Sequence, residues 1–159
     1  MLVLTILGNN SAIPAFGRHP TAQVLQTDND SFLIDCGEGT QTQLTKYKIR
    51  RSKITAIFIS HLHGDHYFGL IGLITSMSLL GRTQPLNIYG PTALEQIINL
   101  QLSVANTTLS FPLSFYSLTE EKVIFDNNKI PVNYYLIKIR DEREAFRNQI
   151  KYLRNGDTV

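Results

Sequence analysis

The amino-acid sequence predicts a mixed α/β (α+β) domain in which helices pack against a sheet. Two observations lead to this fold class. Short apolar runs bounded by turn-forming residues, typical of strands, alternate along the chain with segments of helical apolar spacing. The chain has 159 residues, of which 43% are hydrophobic and 18% charged. It is therefore predicted to form a single domain, residues 1–159, around one core.

The first sixty residues have the pattern of strands. The run from Val3 to Leu7 is predicted to be the first of them. Two further strands, Ala22 to Thr27 and Phe32 to Ile34, flank small polar residues that suit a hairpin turn, so we expect them to pair antiparallel. A short helix is predicted from Thr40 to Tyr47, and another strand from Ala56 to Ser60.

The remaining residues alternate between helix and strand. Apolar residues on most sides of the segment from Phe68 to Leu80 predict a buried helix that stops at Gly81. Thr92 and Glu95 match the capping box that begins a helix. The other predicted elements are, in order, a strand from Leu86 to Tyr89, the helix from Thr92 to about Ala105, strands between Leu109 and Ile139 with a turn at Asp126 to Asn128, and an amphipathic helix from Asp141 to Arg154.

Charge, cysteine content and the length of the apolar runs bear on the partners and the cellular compartment of the protein. Fifteen basic and 13 acidic residues give a net charge of +2, which permits RNA binding without indicating it. Cys36 is the single cysteine, so the chain has no intramolecular disulfide and suits a reducing compartment. No apolar run is long enough to span a membrane, and the N-terminus lacks a signal-peptide pattern. We therefore expect a cytoplasmic protein with no membrane partner.

The residues that carry chemistry directly follow the strand that ends at Ser60. They read His61-Leu62-His63-Gly64-Asp65-His66, and three imidazoles with one carboxylate form a donor set that suits zinc. In an extended loop, the first two histidines share one side and can bind one ion, while Asp65 and His66 can reach a second. The sequence therefore predicts a metal site. The alternatives are ordinary polar histidines and a purely structural site, although structural zinc more often uses cysteines.

The His-x-His-x-Asp-His motif is accompanied by further short segments that together resemble one family. These are Leu7-Gly8, Ser11-Ala12-Ile13-Pro14, Arg18-His19-Pro20, the nine residues from Leu33 to Gln41, Ile57 to Leu70, Leu79 to Arg82, and Ile88 to Pro91. The sequence resembles ribonuclease Z, the zinc endonuclease of the metallo-β-lactamase fold that trims the 3′ end of precursor tRNA. The resemblance extends from residue 1 to about 130, and residues 131–159 diverge. It implies the N-terminal half, or a truncated version, of an αββα sandwich.

The resemblance also implies roles for the residues of the motif. His61 and His63 would bind one zinc ion, and Asp65 and His66 would bind the second. Asp65 would in addition accept a proton from the attacking water. Asp35 would orient the ligand histidines through hydrogen bonds, and a turn-forming role is its alternative.

Substrate and partners follow from the same resemblance. Arg18 and His19 match a loop that contacts substrate, which would be precursor tRNA. The apolar helix after the motif would be partly uncovered in a chain that lacks a second sheet, and a homodimer would cover it.

The family uses more metal ligands than this sequence supplies. His19 is the only histidine outside the motif, and Ile139 stands where a further ligand histidine is expected if Lys138 and Arg140 are aligned with the family. The alternative is a deletion near residue 132. We therefore expect little or no hydrolytic activity from this chain alone. Two other hypotheses are a non-catalytic remnant that binds metal or a partner, and a hydrolase of the same fold that acts on another ester.

Overall fold

The computed structural model describes residues 2–13 and 16–118, together with the backbone of residues 122–125 and 132–134. Residues 1–119 and 120–159 are two compact units. The prediction of one domain over residues 1–159 stays a prediction. The helices and strands are β1 (Val3–Gly8), β2 (Ala22–Gln26), β3 (Ser31–Ile34), α1 (Thr40–Lys46), β4 (Ile54–Phe58), α2 (Gly64–Tyr67), α3 (Leu70–Leu79), β5 (Leu86–Gly90), α4 (Ala93–Val104), β6 (Leu113–Ser117), β7 (Lys122–Phe125) and β8 (Val132–Tyr134).

The first unit contains a six-stranded sheet in the order β1-β2-β3-β4-β5-β6. The predicted hairpin is confirmed, because β2 and β3 pair antiparallel around the polar loop and β1 pairs antiparallel with β2. From β3 onward the neighbours are parallel, with helices in the connections. The prediction of a mixed α/β fold is confirmed. The parallel arrangement brings the carboxyl ends of β3, β4 and β5 to one edge of the sheet.

The core lies between this sheet and the helices. The central strands read as nearly continuous apolar runs, as expected of strands in a parallel arrangement that is covered by helices. The largest side chains that are fully buried are Phe32, Leu33, Leu44, Ile54, Ile57, Ile59, Leu70, Leu73, Ile74, Met77, Leu86 and Ile88.

The predicted helix from Phe68 to Leu80 is wrong at its start and in its burial. The structure has a short helix, α2, over Gly64–Tyr67, and then α3 from Leu70. The break occurs because the N–H of Gly69 donates to the Cys36 carbonyl across the sheet edge. One face of α3 is buried, whereas the side chain of Leu79 is 88% exposed, so the helix is amphipathic in its burial.

Two smaller predictions also need correction. β4 covers Ile54–Phe58 rather than Ala56 to Ser60, because its pairing with β3 ends at Phe58. The helix after Thr92 is present, but the Thr92 side chain does not cap it. The Thr92 hydroxyl instead forms a hydrogen bond with that of Ser117, at the end of β6.

In the second unit, β7 and β8 pair antiparallel. Both lie in the stretch between Leu109 and Ile139 that the sequence predicts to contain strands. The predicted turn at Asp126 to Asn128, Ile139 and the predicted helix from Asp141 to Arg154 lie outside the described residues. Among the described residues, no helix has both the length and the apolar character needed to cross a membrane.

Candidate metal centre

The motif residues lie at the carboxyl edge of the parallel strands. β3 ends at Ile34 and β4 at Phe58, and these two residues are paired in the sheet. Asp35 therefore emerges beside the segment that leads into the histidines. In open α/β sheets, this edge is where ligands usually bind.

Asp35 is a buried carboxylate in an unusual backbone conformation. Its φ angle is +55°, in the left-handed region that aspartate tolerates better than most residues. Its N–H donates to the Phe58 carbonyl at 2.8 Å, which fixes the turn against β4. The residue is 5% exposed, and its carboxylate accepts hydrogen bonds from the Ser60 N–H at 2.8 Å and from the His66 ring at 2.7 Å. The turn therefore delivers a carboxylate to the back of the histidine cluster.

Ser60 joins the same network, and sequence reasoning assigned it no role. Its hydroxyl lies 2.9 Å from Oδ1 of Asp35 and 3.0 Å from Nδ1 of His61. The signal that could have found it is its position, between the end of a buried strand and the first histidine of the motif.

The hydrogen bonds assign the protons on two of the rings. His66 donates from Nδ1 to Oδ2 of Asp35. The Ser60 hydroxyl donates its single proton to Asp35, so it is left as an acceptor for a proton on Nδ1 of His61, 3.0 Å away. Because a neutral imidazole carries one proton, Nε2 of each ring then keeps its lone pair. This is the arrangement in which a histidine backed by a carboxylate binds a metal.

The four predicted ligands fall into two pairs. Nε2 of His61 lies 3.1 Å from Nδ1 of His63, and Nε2 of His66 lies 3.5 Å from Oδ2 of Asp65. Two ligand atoms about 2.0–2.2 Å from a tetrahedral zinc are about 3.3–3.6 Å apart. The Asp65–His66 pair has the spacing of one edge of a zinc coordination shell, and the atoms of the His61–His63 pair lie slightly closer together than that. The donor types and spacing fit zinc, with two donors in each pair.

The second pair is held on a helical turn rather than in the extended loop that was predicted. The His66 N–H donates to the His63 carbonyl at 2.9 Å, so the chain already turns at Gly64. The Cys36 N–H then donates to the His66 carbonyl at 2.7 Å. Gly37 allows this close packing, because a Cβ there would lie 2.3 Å from the Asp65 carbonyl oxygen.

The electrostatic environment separates His61 from His66. Burial and the neighbouring rings of His66 and His63 lower the pKa of His61. Burial alone would also lower the pKa of His66, but its hydrogen bond to Asp35 and the charges of Asp35 and Asp65 outweigh this and raise it. His61 therefore favours the neutral form that can bind a metal, whereas the neighbouring carboxylates stabilise the protonated form of His66.

The other residues that the sequence singled out differ in their burial. The Arg18 side chain is exposed. His19 is partly buried, and its Nδ1 lies 3.4 Å from where a Cβ would stand on Gly39. The Cys36 side chain is fully buried, and burial raises the pKa of its thiol to about 12. Cys36 therefore belongs to the core.

A complete metal shell is not assembled by the described part of the chain. Within residues 2–13 and 16–118, no three His, Cys, Asp or Glu side chains are grouped so that they could hold one ion together. The sequence has only four histidines, and His19 is the one outside the motif. The described residues thus form two half-shells.

Sequence comparison relates the chain to two groups of proteins. A family model described as Anti-Pycsar protein Apyc1 matches residues 2–137. Ribonuclease Z of Prochlorococcus marinus (strain MIT 9301) is 42% identical over 150 residues, which are 91% of this chain and 48% of that protein. Ribonuclease Z of Bacillus thuringiensis (strain Al Hakam) is 43% identical over 129 residues, or 79% and 42%. The chain spans about half the length of the curated relatives it matches.

Solved structures are also similar to this chain. The crystal structure of human tRNase Z, short form, has a TM-score of 0.72 and 36% identity, and the match covers 84% of this chain and 59% of that one. The metallo-β-lactamase fold protein YhfI from Bacillus subtilis has a TM-score of 0.58 and 23% identity, with coverages of 76% and 48%. At that identity, the second likeness concerns the fold alone.

Proposed function

Because the chain belongs to the protein family described as Anti-Pycsar protein Apyc1 and is similar to the N-terminal portion of ribonuclease Z, we propose that it carries one half of a zinc-dependent endoribonuclease site. Its substrate is the 3′ end of precursor tRNA. The fold is that of metallo-β-lactamase proteins, as the resemblance implied.

One observation carries the proposal. Asp35 and Ser60 hold the Nδ1 atoms of His61 and His66, and both Nε2 atoms are thereby left as metal-binding lone pairs. A cluster of ordinary surface histidines would not need a buried carboxylate and a strained backbone turn behind it. The geometry therefore favours a metal site over the alternative of unspecialised polar residues.

The roles of the side chains follow from this arrangement. His61 and His63 would hold one zinc ion, and Asp65 and His66 would hold the other. Bound zinc supplies a Lewis acid that stabilises charge on the reacting phosphate. The Asp65 carboxylate accepts the proton of the attacking water at an oxygen atom, as a general base. Asp35 positions His66 and does not contact the substrate.

Substrate contact is assigned to the loop that precedes β2. Arg18 is exposed, so its guanidinium is accessible to a phosphate, and His19 lies beside Gly39 near the start of α1. The carbonyl of His19 accepts a hydrogen bond from the Asn10 N–H at 3.0 Å, which ties this loop to the end of β1. We assign Arg18 and His19 to tRNA binding.

Catalysis needs more ligands than the described residues provide. Two donors for each ion hold zinc weakly, and the geometry for attack is not enforced. The chain alone should therefore bind zinc yet cleave precursor tRNA poorly.

A chimera tests the proposed function directly. The matching portion of Prochlorococcus marinus ribonuclease Z is replaced by this chain, and cleavage of a precursor tRNA with a 3′ trailer is measured with and without a chelator. We expect chelator-sensitive cleavage at the 3′ side, and its loss in the Asp65→Ala chimera. A chimera that is folded and zinc-loaded but does not cleave precursor tRNA would contradict the proposed substrate.

A second candidate function keeps the site and changes the ester. The family model that matches residues 2–137 has a different description from ribonuclease Z, which favours testing another phosphate ester. Chelator-sensitive hydrolysis of a small phosphodiester by the same chimera, without cleavage of tRNA, would select this candidate.

Assembly and compartment are further parts of the proposal. Leu100 and Val104 lie one helical turn apart on α4 and are 64% and 75% exposed, which supports a homodimer that covers apolar surface. Light scattering of the purified chain at several concentrations tests this. The single buried cysteine supports a reducing, cytoplasmic compartment.

A further inference from the structure

A cavity of about 510 Å³ lies at the other end of β4 from the histidines. Its wall includes Arg51 and Ser52, which precede the first residue of β4, whereas His61 follows the last. The five residues of β4 span about 16 Å. The cavity is therefore a place separate from the candidate metal centre. Its other walls are the end of α1 and the end of α3, and we call it the cationic cavity.

The cationic cavity is lined by four positive side chains. They are Lys48, Arg50, Arg51 and Arg82. No carboxylate from residues 2–13 or 16–118 lines it. The sequence explains the clustering, since residues 46–53 read KYKIRRSK and no Asp or Glu occurs between Glu38 and Asp65.

The ends of two helices do not balance this charge. α1 and α3 both terminate at the cavity wall, and a helix C-terminus carries about −0.5 of a charge. Two such ends offset about one of the four positive charges. About three positive charges therefore remain without an anion from residues 2–13 or 16–118, which is more than the two helix ends can balance.

Two arginines of the cavity wall, Arg51 and Arg82, are wholly or partly buried. Arg82 is 8% exposed and donates to the carbonyls of Gln84 and Pro85, each at 2.7 Å, so its partners there are neutral. Arg51 donates to the Gln41 carbonyl and the Thr45 hydroxyl, and its Nε is buried without a partner in the described part of the chain. Buried charges are normally paired, so this wall is suited to an incoming anion.

Lys48 has a backbone conformation that favours glycine. Its φ angle is +57°, at the position that follows α1, and the Ile49 N–H closes the turn by donating to the Leu44 carbonyl at 2.8 Å. Glycine is the usual residue at such a helix end. A lysine there holds an exposed cation at the cavity rim despite the backbone strain.

We propose that the cationic cavity binds the phosphate group of a nucleotide or polynucleotide. Arginine forks bind phosphate through two parallel hydrogen bonds, and lysine binds it as a point charge. The lining also includes the accessible apolar side chains of Ile49 and Leu80, which suit the sugar or base attached to that phosphate. The volume lies in the range of small-molecule sites, about 300–1,000 Å³. The polynucleotide form of the proposal rests on the proposed function, since it adds a second contact for tRNA.

Two matched double variants of the full chain test the proposal. Lys48→Gln with Arg50→Gln removes two exposed cations from the cavity, and Lys46→Gln with Lys53→Gln removes two exposed cations that do not line it. Both variants have the same net charge. Binding is measured with labelled tRNA by fluorescence anisotropy at several salt concentrations, and with inorganic pyrophosphate and AMP by calorimetry. Thermal unfolding verifies that both variants are folded.

The cavity variant should bind tRNA about tenfold more weakly than the control variant, and the slope of log affinity against log salt should fall by about one to two. Loss of pyrophosphate and AMP binding, with tRNA binding unchanged, would assign the site to a small nucleotide. Equal losses in both variants, or no loss in either, would overturn the proposal. Because the test for cleavage depends on Asp65 and not on these cations, the two proposals can fail separately.

Discussion

Nδ1 of His66 lies 2.7 Å from Oδ2 of Asp35, although 31 positions separate the two residues in the sequence. The contact exists because β3 and β4 are parallel neighbours and end at the same sheet edge. It fixes the orientation of one predicted ligand and the proton on its ring. It also explains why a buried carboxylate occurs in a left-handed turn directly before Cys36 and Gly37.

The first prediction concerns the effect of Asp35 on zinc affinity. Asp35→Asn keeps the shape of the side chain but removes its charge, so His66 is less firmly held and becomes a weaker ligand. We expect zinc affinity to fall about 10- to 100-fold, as measured by competition with a chromogenic chelator. Glu95→Gln, at an exposed carboxylate on α4, is the control and should leave the affinity unchanged. Equal zinc affinities for the two variants would mean that Asp35 does not support zinc binding.

The second prediction is the titration of His66 in the zinc-free protein. Its pKa is raised above the ordinary value of about 6.5 because the hydrogen bond to Asp35 and the charges of Asp35 and Asp65 outweigh burial, so Asp35→Asn should lower it. The stabilisation by the pair is present at pH below that value and is lost as the pH rises through the folded-state pKa. Asp35→Asn should therefore lower the melting temperature more at pH 5.5 than at pH 8. NMR of the imidazole protons measures the pKa, and an unchanged value would contradict the assignment.

The third prediction compares two glycines near α3. A Cβ on Gly69 would lie 2.1 Å from the Gly37 carbonyl oxygen, whereas one on Gly72 would meet only the mobile end of the Gln41 side chain. Gly69→Ala should lower the free energy of unfolding by about 1–3 kcal/mol. Gly72→Ala should change it by less than about 1 kcal/mol, since alanine also favours the helix. Urea denaturation measures both, and similar values would mean that the Gly69 contact does not constrain the fold.

The fourth prediction concerns the reactivity of Cys36. The thiol is buried and its pKa is raised to about 12, so almost none of it is thiolate at pH 8. Ellman's reagent should label the native chain very slowly and the chain in guanidinium rapidly. Cys36→Ala verifies the origin of the signal. Rapid labelling of the native chain would place Cys36 outside the core.

The sequence predicted the fold class and most elements because their apolar patterns are local. The prediction from sequence failed where contacts between residues far apart in the sequence determine where an element begins or ends. The break before α3 depends on the Gly69 N–H reaching Cys36, and the end of β4 depends on its pairing with β3. Likewise, the local Thr92 and Glu95 pattern indicated a capping box, but the Thr92 hydroxyl has a partner on β6.

The candidate site was predicted to a similar extent. The ligand types are adjacent in the sequence, so the four residues from His61 to His66 could be named directly. The role of Ser60 and the helical turn at Gly64 could not be deduced, because they depend on where the strand ends and how the chain returns to Cys36. The place of Arg82 in the cationic cavity could not be deduced either, because the fold brings it next to Arg51, 31 positions away in the sequence.

The central claim is that the motif side chains bind zinc. Zinc titration into the metal-free chain by calorimetry tests it most directly, with His61→Ala combined with His66→Ala as one variant and His19→Ala as the matched histidine control. We predict that the original chain and the His19→Ala variant bind zinc equally well. The double variant should bind zinc at least about tenfold more weakly. Zinc binding of equal strength in all three proteins would contradict the claim.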